Sequence, residues 1–314
     1  MCAFGVIKSY LKLPQLGMTM AFAAVVLVFA SLSPVFLTVG NFVNIANQTA
    51  IISVLAFGMT LVMLCGGIDL SVGSIVSLSA VICALMLGAD IATPFAIGAA
   101  LLTGIGLGAM SGLVSVKWGI QPFLVTLGVL SIARGLSLVL SEGRTIYIEN
   151  QYFLAVTAQG SLGQLPALFV WTLVFLALTW VLLNLTTFGR RVRAVGGNIQ
   201  AARQAGIRTG WVVVRVFMLS GGLAAFAGLM MAGRLSSGLP SVGVGLELDA
   251  IAAAVLGGTG FRGEGGSLIG TLLGALMIGT VINGLTILGV NPYVQEITKG
   301  LIIILAVVLV SLRR

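Results

Sequence analysis

The stretch VLAFGMTLVMLCGGIDLSVGSIVSLSAVICALMLG, residues 54–88, decides the fold, because its one charge, Asp69, sits between two long apolar runs. A run of about 20 apolar residues is long enough to cross the hydrocarbon of a bilayer as a helix. Gly66-Gly67 can break a helix, since glycine adopts backbone angles closed to other residues. The stretch therefore reads as two crossings joined by a very short connection. Ser71 is placed to cap the second helix, with Asp69 just ahead of it. An ionisable group in apolar sequence is costly and often functional. Asp69 has two readings, a capping acid in an interfacial turn, which is favoured, and a direct contact with a transported molecule.

The same pattern extends in both directions. Ten spans are expected, at 16–39, 47–66, 70–88, 93–116, 121–141, 165–187, 211–233, 246–260, 266–290 and 293–312. The first follows Lys8 and Lys12 and is read as an uncleaved span, because the apolar run is too long for a signal peptide and no small-residue cleavage site ends it. The expectation is an all-α membrane protein, with residues 1–314 forming one transmembrane domain.

Composition agrees. Of the 314 residues, 59% are hydrophobic and 8% are charged, and the mean hydropathy is +1.17. A soluble domain carries about 25% charged residues. Histidine is absent and the cysteines are Cys2, Cys65 and Cys83. That composition excludes Cys/His zinc sites, histidine acid–base catalysis and a disulfide framework. No catalytic or metal-ligating residue is expected. No GxxxxGK[ST] occurs, so no P-loop for ATP is encoded.

The net charge of +8 is explained by topology. Cytoplasmic loops of membrane proteins collect Lys and Arg. With the N-terminus inside, Lys8, Lys12, Lys117, Arg190, Arg191, Arg193, Arg203, Arg208, Arg215, Arg262, Arg313 and Arg314 all fall on the cytoplasmic side. Only Arg144 and Arg234 fall outside, while Arg134 and Lys299 lie within spans. Both termini are therefore expected in the cytoplasm, and no nucleic-acid partner is implied.

The inner connection 188–210, FGRRVRAVGGNIQAARQAGIRTG, carries a local signal. Asn198 is a good N-cap, Ile199 to Ala205 is Ala-rich, and Gly206 suits the left-handed residue after a helix. A short cytoplasmic helix is expected there. Ala201, Ala202 and Ala205 would give it a small face to seat in another protein, with Arg203 beside them; an ordinary basic loop is the plain alternative. A third signal, LGGTGFRGEGG at 256–266, ends a short span in glycines. Short, glycine-interrupted spans mark broken helices at transport sites, and this one echoes Gly66-Gly67. Gly104, Gly108 and Gly112, and likewise Gly266, Gly270 and Gly274, recur at spacing four and are read as close helix packing.

Polar groups are scattered. Asn41, Asn44, Asn47 and Gln48 precede the second span, and Asn283 and Thr286 lie in the ninth. Glu247 and Asp249 stand at the outer mouth of the eighth. Amides suit sugar hydroxyls, although helix–helix bonding explains each one singly. Gly66, Gly67, Asp69, Asn47, Gln48 and Asn283 are the candidates for a translocation path.

Four stretches carry a resemblance: GGIDLSVGSI (66–75), FGRRVRAVGGNIQAARQAGI (188–207), GLELDAIAAAVLGGT (245–259) and GGSLIGTLLGALMIGTVINGLTILGV (265–290). The chain resembles the inner-membrane permeases of ribose/xylose/arabinose/galactose-type ABC importers. It departs from them at Phe261-Arg262-Gly263-Glu264, where related chains often have a less charged, Gly-rich turn. The resemblance implies a bacterial inner-membrane permease of ten spans that moves a monosaccharide inward. It also implies a second permease subunit, identical or not, ABC ATPase subunits that use ATP and Mg, and a periplasmic sugar-binding protein. The loop 188–210 would then carry the coupling helix, with Asn198, Ala201, Ala202, Arg203, Ala205 and Gly206 facing the ATPase. A proton- or sodium-driven transporter using Asp69 or Asp249 is the rival reading. A passive channel is the third, without a charged ring or filter repeat to support it.

Overall fold

The computed structural model describes residues 13–163, 165–260 and 263–312. The expected roles of Lys8, Lys12, Phe261, Arg262, Arg313 and Arg314 lie outside the described residues.

The chain is mostly helical, and a helix stands on each expected span. These are α1 (Leu13–Leu32), α2 (Val39–Leu64), α3 (Val72–Gly88), α4 (Thr93–Trp118) and α5 (Pro122–Ser141). After a short α6 (Gln151–Leu154), which runs on into a π turn at Ala155–Gln159, come α7 (Ala167–Asn184), α8 (Thr187–Gly197) and α9 (Ile199–Gln204). The rest are α10 (Thr209–Leu235), α11 (Leu246–Leu256), α12 (Leu268–Ile287) and α13 (Pro292–Leu312). Six of them, α2, α4, α5, α7, α10 and α12, are long and apolar enough to cross a membrane. Two antiparallel pairings of two residues each interrupt the helical pattern: Ile146–Tyr147 with Ser237–Gly238, and Ser161–Leu162 with Leu165–Pro166.

α2 and α10 form the centre. In its most apolar window α2 is 83% buried and α10 is 67% buried, whereas α5 and α7 are each 22% buried. The outer helices carry exposed apolar side chains such as Leu102, Val139 and Leu178, as a lipid-facing surface requires.

Backbone contact sets the packing. A Cβ at Gly104 would lie 2.4 Å from the Gly221 carbonyl oxygen, and one at Gly108 would lie 2.2 Å from that of Phe217. At Gly112 it would meet Val214 Cα at 2.7 Å. The first glycine stripe is thus the seam on which α4 runs antiparallel to α10. Gly270 and Gly274 seat α12 on α11 in the same way, against the carbonyls of Gly257 and Ala253. Gly266 does not belong to that stripe; it lies before α12 with φ +86°.

Several expected boundaries move. α2 begins at Val39 and not at 47, because Thr38 caps it by accepting the Asn41 N–H. Asn47 and Gln48 therefore lie inside the helix and do not precede it. The connection 188–210 holds two helices and not one, since Thr186 caps α8. The expected span 246–260 contains only the 11 residues of α11, which rise about 16 Å against a hydrocarbon core of about 30 Å. A non-helical leg, a two-residue strand followed by turns, precedes α11 and runs along α3: Gly238 lies on Ala80 and Ala84, and Gly243 lies on Gly73 and Ser77. The Gly243 N–H donates to Ser77 Oγ at 2.9 Å.

The seam makes a matched prediction on one helix. A Cβ at Gly106 would meet nothing within 4 Å. Gly106→Ala should leave the detergent-solubilised melting temperature close to that of the parent. Gly108→Ala should lower it, by an amount corresponding to about 1–3 kcal/mol of overpacking. Fluorescence-detected size exclusion after heating measures both.

Candidate functional site

The most irregular backbone inside the bundle is 65–71, between α2 and α3. Its start is a Schellman stop, in which the Gly66 N–H donates to Met63 O at 2.9 Å and the Gly67 N–H to Val62 O at 3.0 Å. Gly66 takes φ +82°, which side-chain-bearing residues resist. Gly67 supplies closeness instead, since a Cβ there would touch Val62 and the Phe217 ring at 3.3–3.4 Å.

Past this stop the chain turns inward. Asp69 is 0% exposed. Its Oδ1 accepts from the Ser71 N–H at 3.0 Å and from the Ser71 hydroxyl. Its Oδ2 accepts from Ser220 Oγ at 2.9 Å. Ser220 lies eleven residues along α10 from Thr209, roughly 16 Å from that end of the helix. Asp69 is therefore deep in the protein and not in an interfacial turn. Ser71 makes no capping bond of its own; its hydroxyl serves the carboxylate. Thr126 of α5 completes the lining: its Oγ1 accepts from the Leu70 N–H at 3.2 Å, and its one hydroxyl hydrogen has Phe123 O at 3.1 Å and Ile68 O at 3.4 Å in reach.

The second break meets the first. α3 and α11 both begin inside the bundle. A Cβ on Gly73 would lie 2.1 Å from Glu247 Oε2 and 2.4 Å from Gly243 O. Glu247 is buried, and its Oε2 has no hydrogen-bond partner among the described residues. Asp249 pairs with Lys299 at 3.5 Å, and Lys299 also bonds Glu296 at 2.8 Å. Glu247 and Asp249 are thus interior groups and not residues of an outer mouth.

α9 is built as its residues dictate. Asn198 Oδ1 accepts the N–H groups of Gln200 at 3.0 Å and Ala201 at 2.9 Å. At the far end the Gly206 N–H donates to Arg203 O and the Ile207 N–H to Ala202 O, with Gly206 at φ +80°. The alanines divide, however. Ala201, Arg203 and Ala205 are exposed, whereas Ala202 is 4% exposed and packs into the core. A helix turns about 100° per residue, so 201 and 205 share a face that 202 does not.

α8 rests directly on the end of α2, at the first break. A Cβ at Gly196 would lie 1.9 Å from the Leu64 carbonyl oxygen. The turn after α11 reaches the same place: Gly263 lies 3.0 Å from Gly196 Cα and Gly266 lies 2.7 Å from Leu64 Cδ2 by the same measure. The two glycine-rich breaks and the segment before α9 therefore converge at one end of the bundle.

The other path candidates do not join them. Asn47 lies roughly 26 Å from Leu64 along α2 at 1.5 Å per residue. Contacts of α2 with α12, Thr60 to Thr271 at 2.7 Å and Thr49 against Gly279, put Asn283 near that far level. The amide oxygens of Asn47 and Asn283 are buried and unpartnered among the described residues. Gln48, next to Asn47 in sequence, is half-buried. Sequence reading missed Ser220, Thr126, Gly73 and Gly196. A serine followed by Gly221-Gly222 in an apolar span was a usable signal for Ser220.

A bundle of membrane helices with interrupted crossings and a capped helix pair at its basic end defines a transport permease, and comparison with known proteins agrees. Residues 41–307 match the family described as branched-chain amino acid transport system / permease component, and the chain belongs to it. It is 40% identical to the ribose import permease protein RbsC of Escherichia coli K12, covering 91% of this chain and 90% of that one. The Bacillus subtilis 168 RbsC is also 40% identical, over 94% of this chain and 92% of its own. The L-arabinose transport system permease protein AraH of E. coli K12 is 35% identical, over 94% and 89%. A solved inward-facing metal-chelate type ABC transporter shares the fold with a TM-score of 0.56 at 16% identity, covering 95% of this chain and 98% of that one. The chain is a multi-pass permease subunit of an ABC importer, a transport component.

Asp69→Ala should strand the Ser71 and Ser220 hydroxyls and destabilise the folded permease by on the order of 3 kcal/mol, as a buried network does when one member is removed. Asp69→Asn keeps an acceptor and should cost less. Thermal melting of the purified variants gives the order.

Proposed function

We propose that this chain carries a monosaccharide, ribose-like in character, across the bacterial inner membrane into the cytoplasm. Its similarity over nine-tenths of its length to permeases named for ribose and arabinose import supports the reading. In this reading residues 1–314 form one transmembrane unit with ten crossings and both termini inside. The end holding α8 and α9 faces the cytoplasm, and the basic count supports that direction. The permease works as a pair, identical or mixed, fed by a periplasmic sugar-binding protein. ATP and Mg are used by the ABC ATPase subunits. No metal or catalytic group on this chain takes part.

The mechanism follows from the contact at Gly196. α9 is the coupling helix, and Ala201, Arg203 and Ala205 meet the ATPase while Asn198 and Gly206 set its ends. When the ATPase moves α9, α8 moves with it. Gly196 and Leu64 touch through backbone with no side chain between, so displacement passes to the end of α2. The break at Gly66-Gly67 then lets α3 tilt, with Asp69 as its anchor on α10. Asp69 is a positioning residue here, since all its partners are within the protein. Asn47, Gln48 and Asn283 remain candidates for hydroxyl contacts at the far level.

Coupling is tested on the exposed face. Ala201→Glu and Gly206→Val should allow normal insertion, weaken co-purification of the ATPase and abolish ATP-dependent uptake, and the sugar-binding protein should still bind its ligand. Ala202→Glu should instead destabilise the permease itself. Full uptake by Ala201→Glu with the ATPase still bound removes the assignment.

Orientation has its own check. In spheroplasts an impermeant thiol reagent should label Glu149→Cys above the parent background and should not label Gln200→Cys until the membrane is opened. Labelling of Gln200→Cys in intact spheroplasts reverses the topology.

A further inference from the structure

Arg208, Trp211 and Arg215 recur at i, i+3 and i+7, which places them on one face at the start of α10. Arg191 of α8 joins them around a cleft of 610 Å³, with Phe188 at its side. All three guanidinium groups are exposed, no acidic residue lines the cleft, and none of the three is in a salt bridge among the described residues. Three like charges are gathered around one hollow without a counter-charge.

A second hollow of 450 Å³ adjoins it and shares Ile207, Arg208 and Trp211. Its far wall is apolar, formed by Leu113 and Val116 of α4 and by Val214, and Arg203 of α9 also lines it. Leu113 and Val116 are 49% and 42% exposed. A free anion would have no use for this wall, whereas an acyl chain would. The level in the bilayer also fits. Trp118 ends α4 and Trp211 begins α10, and the two helices run antiparallel, so both indoles stand at the same end, 61% and 57% exposed. Lys117 Nζ lies 4.9 Å from the Trp118 ring centre. Trp with basic residues marks the headgroup level of a membrane.

We infer that this pair of hollows binds one anionic glycerophospholipid, its phosphate on Arg191, Arg208 and Arg215 and an acyl chain along Leu113, Val116 and Trp211. Guanidinium groups suit phosphate oxygens in charge and geometry. Because Arg191 belongs to α8 and Arg208 follows α9, such a lipid would tie the helix pair to the membrane surface.

Native mass spectrometry of the full-length permease, titrated with phosphatidylglycerol and with phosphatidylcholine of the same chains, tests the site. Phosphatidylglycerol should be retained about a hundredfold more strongly, as three arginines at roughly 1 kcal/mol each at an anionic surface imply. The preference should vanish in R191Q/R208Q/R215Q and persist in R191K/R208K/R215K, with both variants checked for an unchanged melting temperature. Val116→Asp should weaken retention with all three arginines present. Equal retention of the two lipids by the parent overturns the proposal, as does an undiminished preference in the glutamine variant. Displacement of phosphatidylglycerol by millimolar inorganic phosphate, with no effect of Val116→Asp, overturns it in favour of a free-anion site.

Discussion

Inside an apolar bundle, a stretch of chain that leaves the helix must find partners for its peptide groups within the protein. Residues 65–71 meet that demand with side chains. The Thr126 hydroxyl oxygen serves the Leu70 N–H, and the Asp69 carboxyl serves the Ser71 N–H. The same carboxyl group reaches Ser220 on α10, which connects the break to one of the two central helices. A buried carboxyl group is tolerated when its oxygens are hydrogen-bonded, and here both are. α3 can begin deep in the bundle because this network holds its start.

That arrangement gives α2, α3 and α11 a shared geometry. α3 starts where α11 starts, with Gly73 against Glu247 and Gly243. The non-helical leg before α11 is accommodated along α3 by glycines at 238 and 243 and by the hydroxyl of Ser77. α3 and α11 thus begin at neighbouring places inside the bundle, each after an irregular segment. Asp249, offered as an ion site by the rival reading, is engaged with Lys299, and Asp69 with two serines. Family membership places the chain with ABC permeases.

Glycine performs three separate tasks. At Gly66 and Gly206 it accepts a positive φ that ends a helix. At Gly104 and Gly108 it brings helix axes together. At Gly196 it places one backbone on another, so α8 cannot shift without pressing on the end of α2. The last task makes the basic end of the bundle a mechanical unit, and the arginine-lined hollow lies on that unit's flank.

Much was determined by sequence alone. Apolar runs are long and their caps are local, so helices on all the expected segments were legible, as were Asn198 and Gly206 at the ends of α9. The family was legible in motifs that lie in both halves of the chain. Other features depended on contacts between residues far apart. The depth of Asp69 follows from Ser220, 151 positions away, and no local pattern carries that distance. The inward turn of Ala202 depends on what α9 packs against, because alanine is equally at home on either side. The convergence of Gly66, Gly196 and Gly263 is likewise a product of assembly: glycine in a sequence permits close approach, and only the tertiary structure decides which backbone approaches.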